Sequence, residues 1–448
     1  MKQGLRFWPL VAAIYFCVCG GPYGLEEVVK SGPGMAIFLI LLMPLVWAIP
    51  AALMTAELTS AIPAEGGYYV WVRRAMGPFW GFLCGWWTWV YTWVDVAIYP
   101  VMFATYVQTL LRLFGYGAAF DDRPWLRWGV GMAIIVPLTW LNIRGVKVVG
   151  KTAVGFFALL LIPFVILVAL GLPAFLSHPE TAITPRYVGK SAYEAFTAGL
   201  FLVMWNYLGW DSMSTIAGEV EDPKKAFPRA LALGVPLVTL TYLIPVLVGL
   251  AFLRDPAAWT EGAWTEVARR IGGSPLAIAV AFGGIISAAG LFSSTLLAGS
   301  RVPFVIAEDN VLPRALTRVH SRYGTPWVAI LVSAVFYSVF SFGKLSDLAE
   351  VDVVIYSAGL FLETIALLVL RYREPELPRP YRIPGGWPGV IVLALAPKVI
   401  LVAAIVAQVQ GEDGRKTLLV TAVALLSGPV VWYSRKLTHM KIARASEP

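Results

Sequence analysis

The sequence has few charged side chains for its length. Asp, Glu, Lys and Arg make up 14% of its 448 residues, whereas a soluble globular protein carries about 25%. Apolar residues make up 58%, and apolar stretches of roughly 18 residues or more, long enough to cross a bilayer, recur along the chain. This composition argues against a soluble protein and predicts an all-α polytopic membrane protein.

Cysteine and histidine are also scarce. The cysteines lie in apolar stretches without the spacing of a metal or redox site, and we interpret them as small core residues: Cys17, Cys19 and Cys84. The histidines fall in predicted loops or in the C-terminal tail: His178, His320 and His439. We therefore expect neither a metal centre nor a histidine proton relay across the membrane.

Long polar segments are missing at both ends of the chain. Met1–Arg6 leads directly into an apolar stretch without a small-residue cleavage site, so we expect no cleavable signal peptide. Residues 145–152, GVKVVGKT, match the phosphate-binding pattern G-x-x-x-x-G-K-[ST], but they connect two apolar spans instead of following a buried strand. We expect no nucleotide, no organic cofactor and no catalytic site, because no nucleophile–base pair is visible.

The apolar stretches predict twelve membrane spans. Their approximate bounds are 7–30, 34–61, 78–113, 124–142, 146–172, 193–219, 227–253, 275–304, 326–342, 346–370, 387–409 and 416–434. The segments on the N-terminal side hold 22 Lys and Arg residues, the other side holds 12, and Lys398 lies inside a span. This bias predicts that both termini are cytoplasmic, in the plasma (inner) membrane, and it explains the net charge of +8 without a nucleic-acid partner.

The first and sixth spans are interrupted by helix-breaking residues. Residues 19–24 read CGGPYG, and residues 206–212 read NYLGWDS. Interruptions at corresponding positions of two halves indicate a transporter built from inverted repeats. We predict a first repeat over residues 1–172, a second over 193–370, two further helices within 387–434 and a cytoplasmic tail at 435–448.

The two breaks expose backbone groups that must line a cavity or be covered by protein, because lipid cannot satisfy them. Helix ends at such breaks offer partial charges to a zwitterion or a cation. The candidate substrate contacts from the breaks are Gly20, Gly21, Tyr23, Gly24 and Asn206. Three aromatic residues bracket the second break and suit an ammonium group through cation–π attraction: Trp205, Tyr207 and Trp210.

Carboxylates inside the spans predict the charge of the site. Asp211 lies at the second break, where it would either bind a cation or proton, or cap the following half-helix through N–H groups near Ser214. Asp95 lies in the third span, with Tyr91 and Tyr99 four residues to either side on the same helical face.

Two glutamates complete the predicted carboxylate set. Glu27 follows the first break, and Glu363 lies within the tenth span. Clustered carboxylates bind protons readily because of burial and mutual repulsion. We therefore predict proton coupling through Asp95, Asp211, Glu27 and Glu363, with H⁺ as the coupling ion.

Three stretches resemble the amino acid–polyamine–organocation superfamily of transporters. They are ELTSAIPAEGGYYVWVRRAMGPFWGFLCGW (57–86), GWDSMSTIAGEVEDPKKAFPRA (209–230) and GTPWVAI (324–330). Shorter motifs, GGPYGLEE, VDVAIYPVMF, WNYLGWDS and RPYRIP, resemble the plant polyamine uptake subgroup, next to the L-type amino acid permeases. The resemblance implies the leucine-transporter fold, alternating access and proton-coupled uptake of polyamines or amino acids. It also implies site roles for Asp95, Tyr99, Trp210, Asp211, Tyr356 and Glu363.

Some positions depart from the superfamily pattern. The first break reads Gly20-Gly21-Pro22 instead of Gly-Ser-Gly, and residues 152–172 lack the lysine that several proton-coupled relatives carry. Ser293 and Ser294 stand where the plant relatives are expected to be acidic, so they form a possible sodium or polar site. Uptake of a polyamine or cationic amino acid is the leading hypothesis, and a proton- or sodium-coupled neutral amino acid symporter or exchanger is the alternative. We expect a monomer whose partners are this small molecule and the lipid bilayer.

Overall fold

The computed structural model describes residues 4–116, 120, 123–189, 191–341, 345–409 and 414–445. Within these residues, nine helical segments are long and apolar enough to cross a membrane, and three shorter helices are also apolar: Phe7–Val18, Ala192–Trp205 and Trp327–Phe340. The predicted helical membrane protein is confirmed, while the count of twelve spans stays a prediction. The last three residues of the predicted tail lie outside the described part.

The first half of the chain forms helices α1 to α8. Their bounds are α1 Phe7–Val18, α2 Glu26–Val29, α3 Pro33–Met43, α4 Ile49–Ala61, α5 Tyr68–Met76, α6 Pro78–Leu113, α7 Pro124–Ile143 and α8 Val146–Ser177. A π-helical segment, Pro44–Ala48, joins α3 to α4. Several helices begin with proline, whose fixed φ and missing N–H suit the first turn: Pro33, Pro78 and Pro124.

The second half forms helices α9 to α16. Their bounds are α9 Ala192–Trp205, α10 Pro223–Phe252, α11 Ala263–Gly299, α12 Arg301–Glu308, α13 Trp327–Phe340, α14 Leu345–Arg373, α15 Gly386–Val409 and α16 Gly414–Ala445. No β-strand occurs in the described ranges, where isolated bridges join Leu5 to Val220 and Glu65 to Ile216.

Both predicted helix breaks are present. α1 ends at Val18, and α2 begins only at Glu26 after a segment with Gly21 and Gly24 at positive φ. α9 ends at Trp205, and Gly209 has a φ of 88°. After this second break the chain forms two short 3₁₀ turns, Ser212–Thr215 and Ala217–Glu219, instead of a further α-helix.

Two helical segments were not predicted from the sequence. α5 lies between the second and third spans, with Tyr68, Trp71 and Val72 buried and the Arg73 side chain half exposed, as in a helix lying along a surface. α11 begins twelve residues before the predicted eighth span, and Gly272 and Gly273 interrupt its helical geometry. Both segments were missed because their apolar patterns are shorter than a full membrane span.

The broken segments lie inside the bundle. α1 packs against α8, α10 and α11, while α6 packs against α11 and α14. α14 also contacts α9, and the 3₁₀ turn Ser212–Thr215 packs against α1, α5 and α11. α16 packs on the outside of α6 and α14. Residues 4–6 contact residues 219–221, and the loop 62–67 contacts residues 215–216. The face of the bundle that these segments form is called here the N-terminal face.

Candidate substrate site between the two helix breaks

Asp95 accepts hydrogen bonds from two aromatic side chains. Tyr99, one helical turn later on α6, donates its hydroxyl to Oδ2 at 2.7 Å. Trp205, the last residue of α9, donates its indole N–H to Oδ1 at 3.1 Å. The carboxylate is 7% exposed and stands beside the first break. The structure therefore brings together Asp95, Tyr99 and Trp205, three of the candidate site residues.

A small cavity separates the first break from Asp95. Its lining includes Gly20, Tyr23, Tyr91, Asp95 and Asn206. The cavity volume is about 20 Å³, which is enough for roughly one water molecule. A molecule larger than water fits only if the surrounding helices move apart.

Asn206 joins the two breaks directly. Its side-chain amide donates to the carbonyl of Gly24 at 3.3 Å and to the carbonyl of Leu202 at 2.8 Å. At the first break, Gly20 accepts from the hydroxyl of Ser287 at 2.5 Å. The breaks are therefore satisfied by protein groups, as a membrane interior requires.

Asp211 is held by Tyr356 of α14. The Tyr356 hydroxyl donates to Oδ1 at 2.5 Å and accepts from the backbone N–H of Gly209 at 3.2 Å. The alternative capping role is not observed: Asp211 makes no side-chain cap, and the Ser214 N–H donates to its backbone carbonyl at 2.9 Å. The 3₁₀ turn supplies that carbonyl locally, which leaves the carboxyl group free to face α14.

Glu363 lies two turns beyond Tyr356 on α14 and is fully buried. Its carboxyl group is within hydrogen-bonding reach of Asp211. Neither of its oxygens has a hydrogen-bond donor in the part of the chain that the structure describes. Asp211 and Glu363 therefore form a facing pair of carboxyl groups, as two such groups sharing one proton would.

Asp352 is a buried carboxylate that the sequence reasoning missed. It lies one turn before Tyr356, is fully buried, and its two oxygens have no donor among the described residues. It is close enough to Asp95 to interact with it electrostatically. Its presence in the tenth span, four residues from a candidate tyrosine, was the available signal.

Two predicted aromatic contacts point away from the cavity. Tyr207 donates its hydroxyl to the carbonyl of Ile40 at 3.0 Å and packs edge-to-face on Tyr242. Trp210 lies against Gly234 of α10, and its indole N–H has no acceptor among the described residues. The turn after Trp205 rotates these rings toward α3 and α10, so Trp205 alone of the three contacts the cavity.

Three further break residues contact helices on other sides. Gly21 lies against Leu160 of α8. Tyr23 lines the cavity but donates its hydroxyl to the carbonyl of Val280 at 2.5 Å. The Gly24 N–H donates to Glu26 Oε2 at 2.6 Å. These positions shape the break more than they offer free groups to a ligand.

The choice of Glu27 requires a correction. Glu27 pairs with Lys30 at 2.7 Å and is partly exposed, so it does not join the carboxylate cluster. Glu26 is the buried member, and it accepts from the Tyr106 hydroxyl at 2.8 Å. Neighbouring residues of a helix point about 100° apart, so only one of the two could face inward.

The predicted polar pair of α11 lies outside the cavity. Ser293 is within 3.2 Å of the side-chain amide of Asn142 in α7. Ser294 is buried, and its hydroxyl has no partner within the described ranges. The two serines do not line the cavity beside Asp95.

Contacts close the site on both sides. At the N-terminal face, the backbone N–H of Gly66 donates to the carbonyl of Thr215 at 2.8 Å, and Leu5 bridges to Val220. At the opposite face, Trp264 donates its indole N–H to the carbonyl of Pro22 at 2.9 Å. These contacts enclose the cavity on both sides.

Comparison with known proteins places the chain in a family. Residues 8–428 match the family described as amino acid permease. The chain is 34% identical to "Polyamine transporter RMV1" of Arabidopsis thaliana over 427 residues, or 94% of this chain and 83% of that protein. It is 35% identical to "Polyamine transporter PUT1" of Oryza sativa subsp. japonica over 439 residues, or 97% and 80%.

A solved structure shares the fold. The crystal structure of MhsT in complex with L-phenylalanine matches with a TM-score of 0.65 at 16% identity, covering 91% of this chain and 100% of that one. The family match, the plant relatives and the apolar helices define a multi-pass membrane transporter. The chain belongs to the amino acid permease family of the amino acid–polyamine–organocation superfamily, with the leucine-transporter fold that its sequence predicted.

Proposed function

We propose that the protein takes up an organic cation, a polyamine or a cationic amino acid, by proton-coupled alternating access. The observation that carries the proposal is the pair Asp95 and Trp205 beside the closed cavity. In this pair the indole N–H of the tryptophan donates a hydrogen bond to the carboxylate. An ammonium group placed there would gain both ionic and cation–π attraction. The two plant relatives are named polyamine transporters, which supports the same substrate class.

Proton coupling is proposed for the facing carboxyl groups of Asp211 and Glu363. Two neighbouring carboxyl groups are most stable when they share one proton, because the protonated group then donates a hydrogen bond to the ionised one. Movement of α14 relative to the second break would separate them, and the shared proton would then be released. Tyr356 connects this pair to the second break, because it bonds both Asp211 and Gly209.

Orientation and assembly are part of the proposal. The excess of Lys and Arg at the N-terminal face supports a cytoplasmic location for that face in the plasma membrane. The Asp95 site is formed within one chain, which supports a functional monomer. Cysteine accessibility from either side of intact cells tests the orientation.

The substrate test uses purified protein in liposomes with an imposed pH gradient. Uptake of radiolabelled putrescine, spermidine, arginine and alanine is compared, with and without sodium. We expect uptake of at least one cation, stimulated by inward proton flow and independent of sodium. Uptake of alanine alone would contradict the cation proposal, and sodium-dependent uptake would contradict proton coupling and support the neutral amino acid alternative.

Two variants separate the proposed roles. Asp95→Asn keeps the hydrogen-bond acceptor for Trp205 but removes the charge, so the KM for the cation should rise about tenfold or more. Asp211→Asn should abolish stimulation by the pH gradient. Asp255→Asn, in the exposed loop after α10, is the matched control and should behave as wild type.

A further inference from the structure

Lys398 places a cation in the middle of the membrane domain. It lies twelve residues after the start of α15 at Gly386, roughly 18 Å along the helix axis. The hydrocarbon core is about 30 Å thick, and a charged side chain at such a depth requires a partner.

The Lys398 amine points toward α14. Its Nζ donates to the hydroxyl of Thr364 at 2.6 Å. That hydroxyl donates in turn to the carbonyl of Leu360 at 2.7 Å, which fixes its lone pairs toward the lysine. Thr364 directly follows Glu363 on α14, so Lys398 is held one residue along the helix from the carboxyl group that faces Asp211.

The charges around Lys398 single out Glu363. Among the described residues, Glu363 is the one carboxyl group that interacts electrostatically with Lys398, and Lys398 is the one cation that interacts with Glu363. On α4, Glu57 is bonded to Arg371. Around Met54 of α4, where the Thr364 hydroxyl makes its contact, the described lining of the neighbouring cavity is otherwise apolar.

We propose that Lys398 is a built-in counter-cation for Glu363, acting as a positioning residue that lets the Asp211–Glu363 pair release its proton. This inference rests on the proposed function. When both carboxyl groups ionise, the Lys398 ammonium offsets one of the two negative charges. Without it, the pair retains the proton, and transport no longer draws energy from a pH gradient.

The test compares two modes of transport in liposomes. Uptake driven by a pH gradient requires proton release, whereas counterflow of labelled against unlabelled substrate at equal pH does not. In Lys398→Met we expect gradient-driven uptake to fall about tenfold, as for loss of a half-buried charge partner, while counterflow stays within about twofold of wild type. Lys398→Arg should retain both modes.

Chemical rescue separates the charge from packing. Lys398→Cys should behave as Lys398→Met, and modification with an aminoethyl methanethiosulfonate, which restores an ammonium group, should return gradient-driven uptake. A neutral methyl methanethiosulfonate should not. Wild-type protein treated with both reagents is the control, because its cysteines are buried.

Three results would overturn the inference. They are unchanged gradient-driven uptake in Lys398→Met, equal loss of both transport modes, and equal rescue by the aminoethyl and methyl reagents. Failure of the wild-type protein to respond to a pH gradient would contradict the proposed function itself, which keeps the two failures distinct.

Discussion

Arg301 and Glu219 form a fully buried ion pair at the N-terminal face, with Nε of the arginine 2.9 Å from Oε1 of the glutamate. Arg301 begins α12, and Glu219 ends the 3₁₀ turns that follow the second break. The backbone carbonyl of Glu219 also accepts from the N–H groups of Gly4 and Leu5. Glu219, which follows the second break, therefore contacts both residues 4–5 and α12 where the pathway is closed.

Removing one member of this pair should destabilise the closed state. Arg301→Met leaves the Glu219 carboxylate buried without its cation, which costs about 3–5 kcal/mol. We expect a lower thermal unfolding midpoint in detergent and faster reaction of Cys17, which lines the cavity, with thiol reagents added at the N-terminal face.

The double variant is the control for this prediction. Arg301→Met with Glu219→Leu removes both charges, so its midpoint should lie closer to wild type than that of Arg301→Met. If the midpoint of the double variant fell by the sum of the decreases in Arg301→Met and Glu219→Leu alone, packing, and not charge pairing, would explain the effect.

Asp352 is expected to strengthen cation binding together with Asp95. Asp352→Asn removes a buried carboxyl group, which a bound cation would ionise and whose oxygens have no donor in the described part of the chain. The KM for the cationic substrate should therefore rise about tenfold, while the unfolding midpoint stays equal or increases. Initial uptake rates and thermal unfolding are measured on the same preparation. A lower midpoint with an unchanged KM would assign Asp352 a structural role instead.

Short motifs let the sequence predict the two breaks and the carboxylates. The glycines of the Gly-Pro and Gly-Trp pairs, and the proline above all, lower the stability of a continuous α-helix. Acidic residues are easily recognised within apolar spans, and Asp95, Asp211 and Glu363 were found in this way. Side-chain direction was not predictable after a break, because no helical periodicity survives there. Trp210 and Tyr207 point to other helices for this reason.

The sequence also did not predict which of two neighbouring glutamates is buried. Glu26 and Glu27 differ only by about 100° of helix rotation, and that angle is set by contacts with α6 and with the loop before α11. Asp352 was missed for another reason: α14 carries it toward Asp95 of α6, which lies more than 200 residues earlier in the sequence. Such pairing depends on packing between distant segments.

Glu65 should make closure of the N-terminal face depend on pH. Burial, together with the nearby Glu219 carboxylate, raises the pKa of Glu65 to about 7 in the closed arrangement. The stabilisation from its proton is fully present below the ordinary pKa of 4.5 and is lost as the pH rises through about 7. Closure should therefore weaken between pH 5 and 8.

Hydrogen exchange of residues 62–67 measures this closure. After correction for intrinsic rates, protection of the Gly66 N–H, which donates to Thr215, should fall as the pH rises. In Glu65→Gln the protection should be nearly independent of pH, while Glu376→Gln, at an exposed position, should follow wild type. The same pH dependence in all three proteins would rule out Glu65 as the titrating group.

Gly209 should tolerate no side chain, because it brings the two breaks together. Its φ is +88°, and a Cβ would lie 2.2 Å from the carbonyl oxygen of Cys17 near the end of α1. Gly77 has a similar φ of +93°, yet a Cβ there would meet nothing within 4 Å. Gly77→Ala therefore carries only the backbone strain, about 1–2 kcal/mol. Gly209→Ala carries the same strain and also forces α1 away from the second break.

We expect Gly209→Ala to lose substrate uptake and to unfold at a clearly lower temperature, whereas Gly77→Ala keeps uptake and its unfolding temperature decreases only slightly. Equal midpoints and equal uptake in the two variants would contradict a close approach of the breaks at Gly209.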